Sequence, residues 1–133
     1  MYYYKKIMRN LYFSIFFSLS CITTTSAQTS SSNANSVPIA GTNNVAFGVG
    51  TLISNTGFRN IGYGYNALHS NTTGNVNLAI GTAALYSNLV SPGNIAIGDS
   101  AMFANTSGSG NVALGHLSLR YNVSGYQNAA IGH

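Results

Sequence analysis

The sequence predicts an all-β fold, a parallel β-solenoid of about six coils, and three observations predict it. The phrase Asn-x-(Ala/Gly)-x-Gly recurs from Asn44, Asn60, Asn77, Asn94, Asn111 and Asn128, at spacings of 16, 17, 17, 17 and 17. Within each phrase apolar residues alternate with a small one, which is the period of a strand. Each unit then has a fixed Gly, and later an Asn with a Ser/Thr/Gly-rich cluster. Those breakers leave no room for a helix long enough to be stable.

Taken in order, the segment Met1–Ala27 reads as a secretory signal. "MYYYKKIMRN" is a positive start, "LYFSIFFSLSCI" is an apolar run, and "TTTSA" offers small residues with Ala27 as the last before cleavage. The run is too short for a transmembrane helix, which needs roughly 20 apolar residues. The "SAQ" ending resembles signal peptides of the Bacteroidetes group. The only cysteine, Cys21, lies inside this segment, so a chain cut after Ala27 has neither thiol nor disulfide. "SLSC" is a weak lipoprotein box, with Ser18 where Leu is expected. Residues 28–41 form a polar linker without apolar periodicity, and residues 42–133 form the repeat domain.

Inside the repeat, each column has a physical reading. Position 2 holds Val45, Ile61, Leu78, Ile95, Val112 and Ala129, and position 4 holds Phe47, Tyr63, Ile80, Ile97, Leu114 and Ile131. These share one face of a strand and are expected to form the coil core. Position 3 holds Ala46, Gly62, Ala79, Ala96, Ala113 and Ala130, pointing the other way. Position 5 is always glycine (Gly48, Gly64, Gly81, Gly98, Gly115 and Gly132) and marks a corner. Position 9 (Leu52, Leu68, Leu85, Met102, Leu119) is expected on a second strand that forms the other wall of the core. Position 12 is always Asn, suited to a left-handed turn, and opens an outer loop.

Repetition is a requirement here. A single coil buries too few side chains to offset the entropy of ordering its backbone. Stacking completes the ladder hydrogen bonds on both sides and makes each column continuous, and Asn columns can add side-chain ladders. With strands about 4.8 Å apart, six coils make a rod of roughly 30 Å. A solvent-facing column would drift to Thr, Ser or Lys. The small column at position 3 therefore implies close approach by another surface, either the opposite wall of a thin roll or another chain, and of these another chain of a symmetric oligomer is expected.

"NVAFG", "NLAIG", "NIAIG", "NVALG" and "NAAIG" resemble the head repeats of trimeric autotransporter adhesins, the YadA-like head. "GYNALHSNTTGN" (Gly64–Asn75) resembles repeats of Bacteroidetes surface proteins and phage tail fibres. The resemblance covers Thr42 to His133 and implies a left-handed parallel β-roll, a homotrimer, surface display, and an adhesive or fibre role. By that analogy position 3 supplies the packed inner wall of the trimer. The period of 17 is longer than the usual adhesin head coil, and stalk heptads, a neck and a membrane-anchor barrel are missing from this sequence. Its last residues follow a strand without a cap, as expected of a fragment of a longer protein.

Composition argues against most chemistry. Charged residues are 5 % of the chain. Beyond Ala27 only Arg59, Arg120 and Asp99 remain, so that part carries 2 − 1 = +1. That is no footprint for nucleic acid or an anionic membrane. One carboxylate cannot form an acid/base pair. His116 and His133 occupy equivalent places and are expected to stack about 5 Å apart as a surface pair. Further ligands for a metal are not evident, nothing marks a nucleophile, and the glycines are not a phosphate loop because they follow the coil. Sequons begin at Asn71, Asn105 and Asn122, where the repeat already requires Asn, and "DSA" (Asp99–Ala101) resembles a short O-glycosylation signal.

The expected function is therefore a non-enzymatic, surface-displayed structural or adhesive module without cofactor or metal. Its partners are itself and an unidentified host or surface ligand. Contact is expected at the variable loops of positions 13–17, with Tyr65, Tyr86 and Tyr126. The alternatives are a tail-fibre-like rod and a curlin-type amyloid. The latter is disfavoured by the regular apolar residue at position 9. An ice-binding Thr array fails because Leu89 and Val123 interrupt Thr56, Thr72 and Thr106.

Overall fold

A computed structural model describes residues 41–133, and the proposed signal and nearly all of the linker lie outside the described residues. The described residues form a parallel β-solenoid of six strands. They are β1 (Val45–Phe47), β2 (Ile61–Tyr63), β3 (Leu78–Ile80), β4 (Ile95–Ile97), β5 (Val112–Leu114) and β6 (Ala129–Ile131). They form one sheet in sequence order, β1-β2-β3-β4-β5-β6. The register follows the repeat: Ala79 pairs with Ala96, and Ala96 with Ala113. The short first coil is in step too, since Val45 pairs with Ile61.

The corner at position 5 is the most constrained point of each coil. Each glycine there directly follows its strand and turns the chain: Gly48 (φ 125°) after β1, Gly64 (φ 140°) after β2 and Gly81 (φ 129°) after β3. Gly98 (φ 136°), Gly115 (φ 127°) and Gly132 (φ 129°) do the same after β4, β5 and β6. That region is essentially closed to residues with a Cβ. Stacking adds a second constraint. A Cβ on Gly48 would overlap the carbonyl of Gly64 in the next coil, and one on Gly81 the carbonyl of Gly98. Exposure alone does not mark these corners, because Gly48 is exposed and Gly81 half-buried while both have the same backbone.

The wall that carries position 9 is made of turns, which corrects the expectation of a second strand. Positions 7 and 9 are both left-handed, as in Ala83 (φ 54°) and Leu85 (φ 52°). Such a backbone costs a non-glycine residue about 1–2 kcal/mol. Bonds between coils hold it in place. Leu85 N donates to Ala101 O at 3.0 Å and Met102 N to Ser118 O at 2.9 Å. Within the coil, Asn88 N donates to Leu85 O at 3.2 Å. This wall thus has inter-coil hydrogen bonds without extended dihedrals.

The structure also exchanges the two strand faces. Ala46, Ala79, Ala96 and Ala113 are in the buried core, Gly62 is buried, and Ala130 at the last strand is half-buried. They pack with Ala67, Ala84 and Ala101 at position 8 and with Leu52, Leu68, Leu85 and Met102 at position 9, with Leu119 packed alongside. Position 9 is core as expected. Position 3 faces the interior of its own coil and not another chain. Val45, Phe47, Leu78, Val112 and Leu114 are half-buried, while Ile61, Ile80, Ile95, Ile97 and Ile131 are exposed, so the assignment of these columns to the coil core is corrected.

The physical reason is thickness. A methyl group fills the gap between the walls, and Gly62 shows how tight that gap is. A Cβ there would come within 2.5 Å of Thr51 Cγ2. Thr51 is the bulkiest residue of the buried position 8, and it faces the only glycine of position 3.

Two asparagine ladders complete the interior. At position 1, the Oδ1 of one Asn accepts the backbone N–H of the next: Asn94 N to Asn77 Oδ1 is 2.9 Å and Asn111 N to Asn94 Oδ1 is 3.0 Å. At position 12 the amides bond each other, Asn88 Nδ2 to Asn71 Oδ1 at 2.8 Å and Asn105 Nδ2 to Asn88 Oδ1 at 3.1 Å. Both columns meet at one carbonyl per coil. Ser91 O accepts from Asn77 Nδ2 at 2.8 Å and from Asn88 Nδ2 at 3.0 Å. Buried amides are tolerated because their donors and acceptors find partners along the stack.

Candidate functional surface

With small residues, Leu, Met and Asn inside, the strands turn their larger apolar side chains outward. On β2, Ile61 and Tyr63 are 43 % and 59 % exposed, and on β4, Ile95 and Ile97 are both 36 % exposed. Parallel register joins these columns into a band running the length of the sheet, with no charged side chain in positions 2 or 4. Phe47 and Tyr63 pack along it, their ring centroids 5.7 Å apart.

A second surface feature is the column at position 10. His69 stacks on Tyr86 (4.8 Å, 11° between planes) and Tyr86 on Phe103 (5.1 Å, 9°). The Arg120 guanidinium caps the column, its Cζ 5.6 Å from the Phe103 centroid and 5.5 Å from that of Tyr121. The rings cover one another's faces, so only edges are offered to a ligand. Tyr86, expected as a loop contact, belongs to this stack. Tyr65 and Tyr126 stand exposed, at 57 % and 71 %. The sequence reading missed this stack; the signal for it is that its members share one position of successive coils, although the residue types differ from coil to coil.

Position 6 holds the polar cluster. His116 Nδ1 and His133 Nε2 are 3.1 Å apart, and the ring centroids are 4.9 Å apart, as the coil spacing predicts. His116 Nε2 lies 3.8 Å from Asp99 Oδ2. Proximity of Asp99 to His116 follows from the register, because both occupy position 6 of successive coils. Among the described residues no group of three or more His, Cys, Asp or Glu is placed to hold a metal ion.

The loops offer fewer free groups than their sequence implies. Thr56, Thr72 and Thr106 hydroxyls donate to the carbonyls of Thr72, Leu89 and Val123 in the next coil, at 3.0, 2.8 and 3.2 Å. The Asn71 and Asn105 amides of the sequons are buried in the position 12 ladder. Among the described residues no helix is long and apolar enough to cross a membrane.

No family model, curated protein or solved structure matches this chain.

Proposed function

We propose that this chain is a non-enzymatic, surface-displayed structural or adhesive module that works as a homotrimer, and that the outward strand columns are its self-association face. The carrying observation is the uncharged apolar band of positions 2 and 4, continuous across six parallel strands. A contiguous apolar surface of this kind is unusual on a monomer and marks an interaction site. Symmetric self-association covers it with an identical band. The interface is therefore built from Ile61, Ile80, Ile95 and Ile97 and their neighbours, on the opposite side of the sheet from the alanine column. The reading of residues 1–27 as an export signal supports secretion and surface display, with adhesion left to the variable loops.

Sedimentation of Ile80→Arg and Ile97→Arg tests this reading. The parent chain is expected to sediment as a trimer. Each variant is expected to sediment as a folded monomer, because the new side chain enters solvent on the isolated coil. A parent that is monomeric at high concentration, or an arginine variant that remains trimeric, sinks the proposal. Thioflavin-positive fibres from the parent would instead support the amyloid alternative.

A further inference from the structure

Two imidazole nitrogens converge at one place on the outer surface. His116 and His133 follow β5 and β6 across the Gly115 and Gly132 corners, and parallel register sets them one coil apart. Their facing nitrogens, Nδ1 of His116 and Nε2 of His133, are 3.1 Å apart, with the ring planes at 63°. Two imidazole nitrogens about 2.0–2.1 Å from one metal are separated by roughly 2.9–3.4 Å for coordination angles of about 90–110°. The observed separation falls in that interval.

The far side of His116 strengthens the arrangement. Its Nε2 faces Asp99 Oδ2 at 3.8 Å. A carboxylate on one ring nitrogen favours the N–H there and leaves the other nitrogen's lone pair free to bind. The side chains of His116 and Asp99 are 50 % and 55 % exposed, so an ion can enter and water can complete its shell. The repeat does not demand imidazoles at this position, which carries Val49, Tyr65 and Thr82 in the first three coils.

We propose that His116 and His133 form a two-nitrogen chelate for an imidazole-seeking divalent transition metal (Zn²⁺, Ni²⁺ or Cu²⁺), with Asp99 as a positioning residue. Without metal, the two facing nitrogens share one proton as an N–H···N contact. The ion takes a lone pair from each nitrogen, the displaced proton returns through solvent to Nδ1 of His133 so that both rings stay neutral, and water fills the remaining coordination positions.

The test is calorimetric titration of NiCl₂ and ZnCl₂ into the full chain in neutral buffer. One ion per histidine pair is expected. His116→Ala and His133→Ala should each lower affinity at least about tenfold, as losing one of two protein ligands demands, and Asp99→Asn should lower it by up to about tenfold through the lost orientation. His69→Ala serves as the control and should bind as the parent does, since its ring is stacked on Tyr86. Circular dichroism should show all four variants folded. Absence of binding by the parent, or affinity unchanged in either His116→Ala or His133→Ala, overturns the chelate. Parent-like affinity in Asp99→Asn overturns the role of Asp99 alone.

Discussion

The two sides of the six-stranded sheet carry opposite demands within each short strand. Inward, position 3 admits a methyl group or nothing. Outward, positions 2 and 4 vary from Ala129 to Tyr63. Size variation thus sits on the side that faces out of the coil, and size restriction on the side where two walls meet. A column of uniformly small residues marks a close approach, but the approach is between the two walls of one coil and not between two chains.

Single substitutions test this difference between the faces. The largest effect is expected from Ala96→Arg. Ala96 is fully buried between Ala79 and Ala113, and an unpaired charge there should cost about 4 kcal/mol or more. Urea unfolding followed by circular dichroism should find little folded protein. Its neighbour Ile97 points outward, so the arginine variant there should lose assembly and keep its coil. If Ala96→Arg stays folded and only Ile97→Arg unfolds, the assignment of the faces is reversed.

Asn88→Ala ranks next. It removes the donor to Asn71 Oδ1, one of the two donors to Ser91 O and one of the two acceptors of Asn105 Nδ2, leaving Asn71 Oδ1 and one Asn105 amide hydrogen without those partners. A loss of about 2–4 kcal/mol is expected in the same denaturation experiment. The equivalent change at Asn122, half-buried in the fifth coil and joined to Asn105 at 3.4 Å, should cost less. Equal losses at the two sites would show that the ladder does not act through burial.

The smallest effect belongs to the outer stack. Phe103→Ala removes one ring contact and one cation–π contact, about 0.5–1.5 kcal/mol beyond the buried area. A modest fall in melting temperature with unchanged sedimentation is the expected result. Loss of the trimer in this variant would place the interface on the position 10 column.

Much of this molecule was legible in the sequence because the repeat is a register. Once Asn44, Asn60, Asn77, Asn94, Asn111 and Asn128 are aligned, strand order, parallel pairing, the glycine corners and the 4.9 Å spacing of His116 and His133 follow. The buried column of Leu52, Leu68, Leu85 and Met102 follows too. The position 12 Asn reads as a turn former, and its burial does not follow from that reading. Nothing in residue type distinguishes an exposed turn Asn from one whose amide partners lie one coil away.

Residue order fixes the coil: its length, its corners, and which residues lie one above another. That order leaves open which strand face is inside, because alternation is symmetric and apolar residues occupy both faces. Tertiary packing decided it through space. Two Asn ladders and a column of Leu and Met already fill the narrow interior, so alanine fits there and isoleucine must face out. For the same reason the second wall became a chain of left-handed turns. Position 9 must place its side chain inward and still donate its N–H to the next coil, and a left-handed turn satisfies both.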